Sequence, residues 1–375
     1  MKYFSSLLLT VLFLAFIGCA PTKEILKEDK IDEIVLTTDQ IDAAVKANVE
    51  LDYLRRMILK PIFEFSPKEI NDYLGYIHTY EPNLRKRIQH IAKKNIGQKY
   101  DMYLLGEYPF EIYDDQPLFC LDRSDCVVFS EHTYAMAFSD NWKTFFAMLQ
   151  RIRYKDGVIS YTTRNHYTEA DWDINNSWFL KDVTHEIANN KTIQVTSKIN
   201  RAAFFKKYNI GQDVQIENLN WSYIPAAEIA NVLPFLNTGD FVNVVRGYNP
   251  LDVYVGHTGL ISVEGDGTVN FIHSTEPEVK IQSLMSYQDA SLQLSEKRKI
   301  ENDAIDKKNE EIKKYNLELR KNNNGILHPD EKKLLSKKPY FYGFKFFRLK
   351  ENALENLRSI DGPKAPKLTI FGTQD

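Results

Sequence analysis

Residues 121–129 read Leu121-Asp122-Arg123-Ser124-Asp125-Cys126-Val127-Val128-Phe129, and the rest of the chain is best read outward from them. A helix is expected to begin near Asp125, with Val128, Ala135 and Phe138 on one face. A thiol at that position meets the dipole and the free N–H groups of the first turn, which favour thiolate and can hold an oxyanion. A second helix follows Ser139-Asp140-Asn141, with Trp142, Phe145, Phe146, Leu149 and Ile152 at helical spacing. Asp156-Gly157 then joins the runs 152–154 and 158–161, the pattern of a two-residue hairpin. Upstream, 37–97 is helical in pattern. Ser66-Pro67-Lys68-Glu69 forms a capping box with proline at the first helical position. Residues 100–121 have no clean period and read as a loop-rich approach. Downstream, 241–245, 253–263, 269–274 and 341–349 read as strands separated by turn residues. Helices first and antiparallel strands later indicate α+β.

The chain has 375 residues, 43% hydrophobic and 26% charged, which excludes collagen-like, low-complexity and wholly disordered classes. Net charge is −3, without the basic excess of a nucleic-acid binder. Three cysteines, Cys19, Cys120 and Cys126, are too few for a disulfide framework. Residues 295–338 are different in kind. They hold 13 Lys/Arg against 9 Asp/Glu and few apolar residues, the composition of a solvated helical hairpin or mobile insertion, with a partner-binding arm as the alternative.

The N-terminus reads as an address. Lys2 precedes an apolar run from Leu7 to Ile17, shorter than a membrane span, and Phe16-Ile17-Gly18-Cys19 follows. This resembles a bacterial lipoprotein signal, which implies lipidation of Cys19, a tether beyond it, and a mature protein held to a membrane outside the cytoplasm. The alternative is a plain signal peptide cut near Ala20.

For chemistry, Cys126 is either a nucleophile or a packed structural thiol. Cys120, in an apolar stretch, reads as inert, and a Cys120–Cys126 disulfide would silence both. His257 and His273 fall in strand-like runs joined by a short turn. They are either neighbours able to serve a thiol as base and orienter, or two unrelated core histidines. His185-Glu186 lacks the second histidine of a zinc-protease helix, and no other metal pattern or phosphate-cradling glycine loop occurs. Arg164-Asn165-His166-Tyr167 and Asp171-Trp172 form either a ligand-reading surface or a structural turn.

In order, Asp125-Cys126, Gly239-Asp240, His257-Thr258-Gly259 and His273 resemble the NlpC-type papain-like cysteine amidases of bacterial cell walls. The Arg164-to-Tyr167 and Asp171-Trp172 elements narrow the resemblance to domain-of-unknown-function family 1460, the N-acetylmuramoyl-L-alanine amidase-like proteins. It covers 91–279 and resumes at 340–348. It implies a papain-like core over 91–350 (with 295–338 as a charged helical insertion), after a signal segment 1–18, a tether 19–36 and a helical region 37–90, and before a tail 351–375. It implies Cys126 as nucleophile, His257 as base and His273 as orienter. Tyr100, Asp125, Arg164, His166, Tyr167 and Trp172 become substrate contacts, and no cofactor is called for. The expected reaction is cleavage of the N-acetylmuramoyl–L-alanine bond in peptidoglycan or muropeptides, by an enzyme of the outer membrane or periplasm. The alternatives are a γ-D-glutamyl–diamino acid endopeptidase of the same fold, or a non-catalytic envelope lipoprotein. Val127 stands where the wider superfamily has serine, and Lys99 where proline is common.

Overall fold

The computed structural model describes residues 34–361 apart from residue 325. The expected signal segment, the lipidation site Cys19, the tether up to residue 33 and the tail from residue 362 lie outside the described residues. Four helices come first: α1 (Thr38–Lys46), α2 (Leu51–Leu59), α3 (Pro67–Tyr80) and α4 (Leu84–Lys94). The short strands β1 (Lys99–Tyr100) and β2 (Arg123–Ser124) lead into α5 (Cys126–Ala137) and α6 (Trp142–Arg153). Then α7 (Asp173–Asn175), β3 (Leu180–Asp182), α8 (Thr184–Ile187), β4 (Ile193–Ile199), α9 (Arg201–Phe205), β5 (Glu217–Pro225) and α10 (Ile229–Val232) alternate. The chain continues through β6 (Phe241–Asn249), β7 (Asp252–Val263), β8 (Val269–Thr275), β9 (Glu278–Ser283), α11 (Leu284–Asn322), β10 (Tyr340–Leu349) and α12 (Ala353–Asp361).

The helix starts follow local chemistry. Ser66 and Glu69 exchange the two bonds of the capping box, Glu69 N to Ser66 Oγ at 3.2 Å and Ser66 N to Glu69 Oε2 at 2.7 Å. Asn141 caps α6 by accepting from Thr144 N. Each such cap is worth about 1 kcal/mol.

One sheet of ten strands runs in the order β2-β1-β9-β8-β7-β6-β10-β5-β4, with β3 on β10. The β1–β2 pair is parallel and every other pair antiparallel. Its centre is buried on both faces. Phe241, Leu260 and Ile272 pack with helices α1 to α6, whereas Val242, Ile261 and Phe271 pack on the other side with Leu284 and Tyr287 of α11. Successive strand residues point to opposite faces, so a strand covered on both sides reads as an unbroken apolar run. The fold is mixed α+β, as the order of elements implies. The N-terminal helices share one core with α5 and the central strands.

Two expected elements take a different form. Residues 152–161 do not form a hairpin. Helix α6 continues to Arg153, a 3-10 turn covers Lys155–Gly157, and one isolated bridge joins Tyr154 to Arg164. The turn itself is as the residues require, with Asp156 and Gly157 both at positive φ (55° and 70°). The apolar stripe of α6 outlasts the strand signal, so the turn ends a helix.

The charged segment is half helical. Helix α11 carries it outward, a turn at 329–330 reverses it, and an irregular stretch over 331–339 carries it back. Asparagines spaced by seven hold the return. Asn302 brackets the backbone of Lys338 (2.9 and 2.8 Å), Asn309 that of Leu335 (2.9 and 2.7 Å), and Asn316 that of Lys332 (2.8 and 2.9 Å). The periods match: seven helical residues advance about 10.5 Å and three extended residues about 9–10 Å. Replacing Asn302, Asn309 and Asn316 together by alanine is expected to free the return stretch. Tryptic cutting at Lys332–Lys338 should rise at least about tenfold, since each lost bond is worth about 1 kcal/mol, with little change in the Tm of the core. Unchanged resistance to trypsin would show that the ladder does not hold the segment.

Candidate active site

The start of α5 is fixed before any chemistry is considered. Asp125 is its N-cap, accepting from Val127 N (2.9 Å) and Val128 N (2.8 Å). Two hydroxyls from the sheet then clamp the carbonyls on either side. Thr258 Oγ1 donates to Cys126 O at 3.0 Å, and Ser274 Oγ donates to Ser124 O at 2.7 Å. Thr258 follows His257 and Ser274 follows His273. Strands β7 and β8 therefore hold the start of α5 through the residues next to the two histidines.

The imidazoles meet: His257 Nε2 and His273 Nδ1 are 2.7 Å apart. That bond occupies Nε2 of His257 and leaves its Nδ1 for a reacting group. His273 is buried, stacked on Phe271 (centroids 4.5 Å, 14°), and Tyr287 of α11 lies parallel to His257 (6.1 Å, 13°). Gly259 makes room for this: a Cβ there would stand 2.6 Å from Ile272 O and 2.9 Å from His273 Cβ. Only glycine fits so close a strand approach.

The electrostatics favour neutral groups at rest. Burial, reinforced by the Asp125 carboxylate, pushes the Cys126 thiol up to about 11, against the Thr258 hydrogen bonds and Arg246. Burial pushes His257 well below the ordinary histidine value, helped by His273, Arg246 and Lys280. His273 falls to about 3 from burial and from Lys280 and Arg246. A helix start was expected to favour thiolate; instead desolvation dominates, because the first-turn N–H groups of Val127 and Val128 are spent on Asp125. A thiol and an imidazole that are both neutral suit transfer of the thiol proton during attack. Alkylation of Cys126, followed by peptide mass spectrometry, should therefore accelerate about tenfold per pH unit from pH 7 to 9. A rate already level below pH 7 would reveal a preformed thiolate–imidazolium pair. Cys120 is also free and also raised to about 11, by burial and then by Asp122, so no disulfide joins it to Cys126.

The other expected contact residues divide. Tyr100 is half-buried on β1, and its phenol is pushed up to about 12 by burial and then by negative charge at Cys126 and Asp125, so it stays protonated beside the thiol. Asp125, Arg164 and His166 line a cleft of about 560 Å³ with Tyr103, Tyr161 and Tyr208. The Arg164 guanidinium, however, is consumed by Asp114 (3.0 Å), Glu107 (3.2 Å) and Leu105 O (2.8 Å). His166 Nε2 sits 2.6 Å from Tyr161 O. Tyr167 bonds Asn200 O and is not part of that cleft. Trp172 is fully buried, stacked on Phe241 (4.3 Å) and donating to Glu131 Oε1 (3.1 Å), so it is a core residue and has no surface for a ligand. His185 is engaged by Thr192 and Ser222. A larger cleft of about 970 Å³ lies over β4, β5 and β10, around Trp221 and Lys345, away from Cys126 and the histidine pair, so size does not pick out the site. Thr258, Ser274, Arg246 and Tyr287 belong to this site, and none was assigned a role from the sequence, although Thr258 lies in the His257-Thr258-Gly259 motif. The first two had one signal, adjacency to a histidine.

A family described as AmiA-like, N-acetylmuramoyl-L-alanine amidase-like, matches residues 90–291. The chain belongs to this amidase-like family. Among solved structures, a Legionella pneumophila protein of domain-of-unknown-function family 1460 is similar at 19% identity and TM-score 0.55, over 75% of this chain and 95% of that one. An N-acetylmuramoyl-L-alanine amidase from Bacteroides uniformis aligns at 20% identity and TM-score 0.46, over 72% of this chain and 99% of that one. Comparison with curated proteins gives no match. The match to the amidase-like family spans Asp125-Cys126 and both histidines, and its upper bound falls within the first turns of α11.

Proposed function

We propose that this amidase-like chain is a papain-like cysteine amidase that hydrolyses the bond between the muramoyl lactyl group and L-alanine. The observation that carries the reading is the pair of clamps, which joins one thiol-bearing helix start to two hydrogen-bonded imidazoles. Cys126 gives its proton to His257 Nδ1 as Sγ attacks the lactyl carbonyl. The oxyanion takes hydrogen bonds from the Cys126 N–H and the Tyr100 hydroxyl, since Asp125 occupies the next two N–H groups. His257 passes the proton to the departing alanine nitrogen, the C–N bond breaks, and a thioester remains. Water, deprotonated by His257, attacks the thioester, and the sulfur leaves as thiol. His273 holds His257 in the tautomer with Nδ1 free.

One feature weighs against the endopeptidase alternative. Asp125 Oδ1 is taken up by the two helix N–H groups, and Val127 offers no hydroxyl, which leaves a free amine fewer partners here than an Asp-Cys-Ser element would give. Lipidation at Cys19 and a place in the envelope complete the proposal. No helix among the described residues is long and apolar enough to cross a membrane. The test is digestion of purified muropeptides with mass spectrometry of the products. Release of intact stem peptide is expected. Release of an L-alanyl-D-glutamate fragment would replace the amidase by the endopeptidase.

A further inference from the structure

Arg246 carries a charge that the protein does not answer. The guanidinium groups of Arg153, Arg164, Arg201 and Arg348 each meet a carboxylate. Among the described residues none comes within ion-pair distance of Arg246, whose hydrogen bond goes to Tyr287 Oη at 3.2 Å. The side chain is partly buried on β6 and lies across Gly256, where an added Cβ would come within 2.8 Å of Arg246 Cδ. Tyr287, its partner, is the ring parallel to His257. A second cation borders the histidine pair from the other side. Lys280 is the cross-strand partner of His273, is exposed, and also lacks a carboxylate among the described residues. A partly buried guanidinium beside a candidate site, with no carboxylate to answer it, is accounted for by an anion that arrives with the ligand.

The side of the thiol on which these cations sit has a chemical meaning. The imidazole that receives the thiol proton must deliver it to the leaving nitrogen, so the departing fragment lies on the His257 side of Cys126. The cleft lined by Asp125, Tyr161 and Tyr208 borders the residues flanking Cys126 and is left for the acyl fragment. Resting on the amidase reading above, the departing fragment is the stem peptide, which carries carboxylates. We propose that Arg246 binds a carboxylate of the departing peptide, with Lys280 adding positive charge at the histidine pair, and makes the enzyme selective for acidic over amidated stems.

The test compares kcat/KM for a muramoyl peptide with free carboxylates and for the same peptide with them amidated. Wild type should prefer the acidic form by about 10- to 100-fold, chiefly through KM. In Arg246→Gln that preference should collapse to within about threefold, and Arg246→Lys should restore part of it. Equal losses on both substrates in Arg246→Gln, or no preference in wild type, would overturn the proposal while leaving the amidase reading intact. If wild type cleaves neither substrate, the amidase reading fails, and titration of the free acidic peptide into Cys126→Ala protein decides the rest. Binding weakened at least tenfold by adding Arg246→Gln retains the anion site; binding that is absent, or indifferent to Arg246, removes it.

Discussion

Cys126→Ala is expected to lower muropeptide hydrolysis by at least about 10⁴-fold, because no other group in the site can form the thioester. The fold should survive. Cys126 is only partly buried, and the clamps on its helix involve backbone carbonyls that alanine retains. Cys120→Ala is the matched control. The Cys120 thiol donates to Asp122 at 3.2 Å, so its loss should leave turnover within about twofold. Activity of Cys126→Ala within tenfold of wild type, with a normal melting profile, would remove the nucleophile from the scheme.

The largest expected loss of stability comes from Glu131→Ala. Glu131 lies within α5, fully buried, and its carboxylate answers Arg153 (3.0 Å) and Trp172 Nε1 (3.1 Å). Arg153 is itself buried and reaches on to Leu105 O. Removing the carboxylate strands a guanidinium and an indole N–H in a dry core, which costs about 3–5 kcal/mol. Glu131→Gln keeps an acceptor and should cost less. Denaturant unfolding measures both, and a loss below about 1 kcal/mol for Glu131→Ala would show that Arg153 finds water or another partner.

This network also explains one limit of the sequence. Trp172 sits in a polar-looking stretch, 164–173, whose charges suggested a surface. In the fold Arg164 pairs with Asp114, Asp171 with Arg201, and Asp173 with Asn243. Their partners lie about 30 to 70 residues away, and no local pattern announces them. What was legible was local: the capping box at Ser66, the start of α5, the stripe of α6, and the apolar runs of β6 to β8. Strands β4 and β5 were missed although Val195 and Trp221 each stand between polar neighbours. Helix α9 separates the two strands, so no short turn marked them as a pair. The asparagine ladder left a trace at 302, 309 and 316 that only a returning partner makes meaningful. For the candidate site, the order of Cys126, His257 and His273 was readable and Arg246 with Tyr287 was not. Those two side chains meet only once α11 folds over the sheet.

The threonine and serine clamps bear on how accurately the site can be kept in place. Each hydroxyl rides on the same strand as the imidazole it adjoins, and each grips the segment that carries the sulfur. A shift of either strand would therefore draw sulfur and nitrogen the same way. The two clamps tie the position of the sulfur to that of the imidazoles.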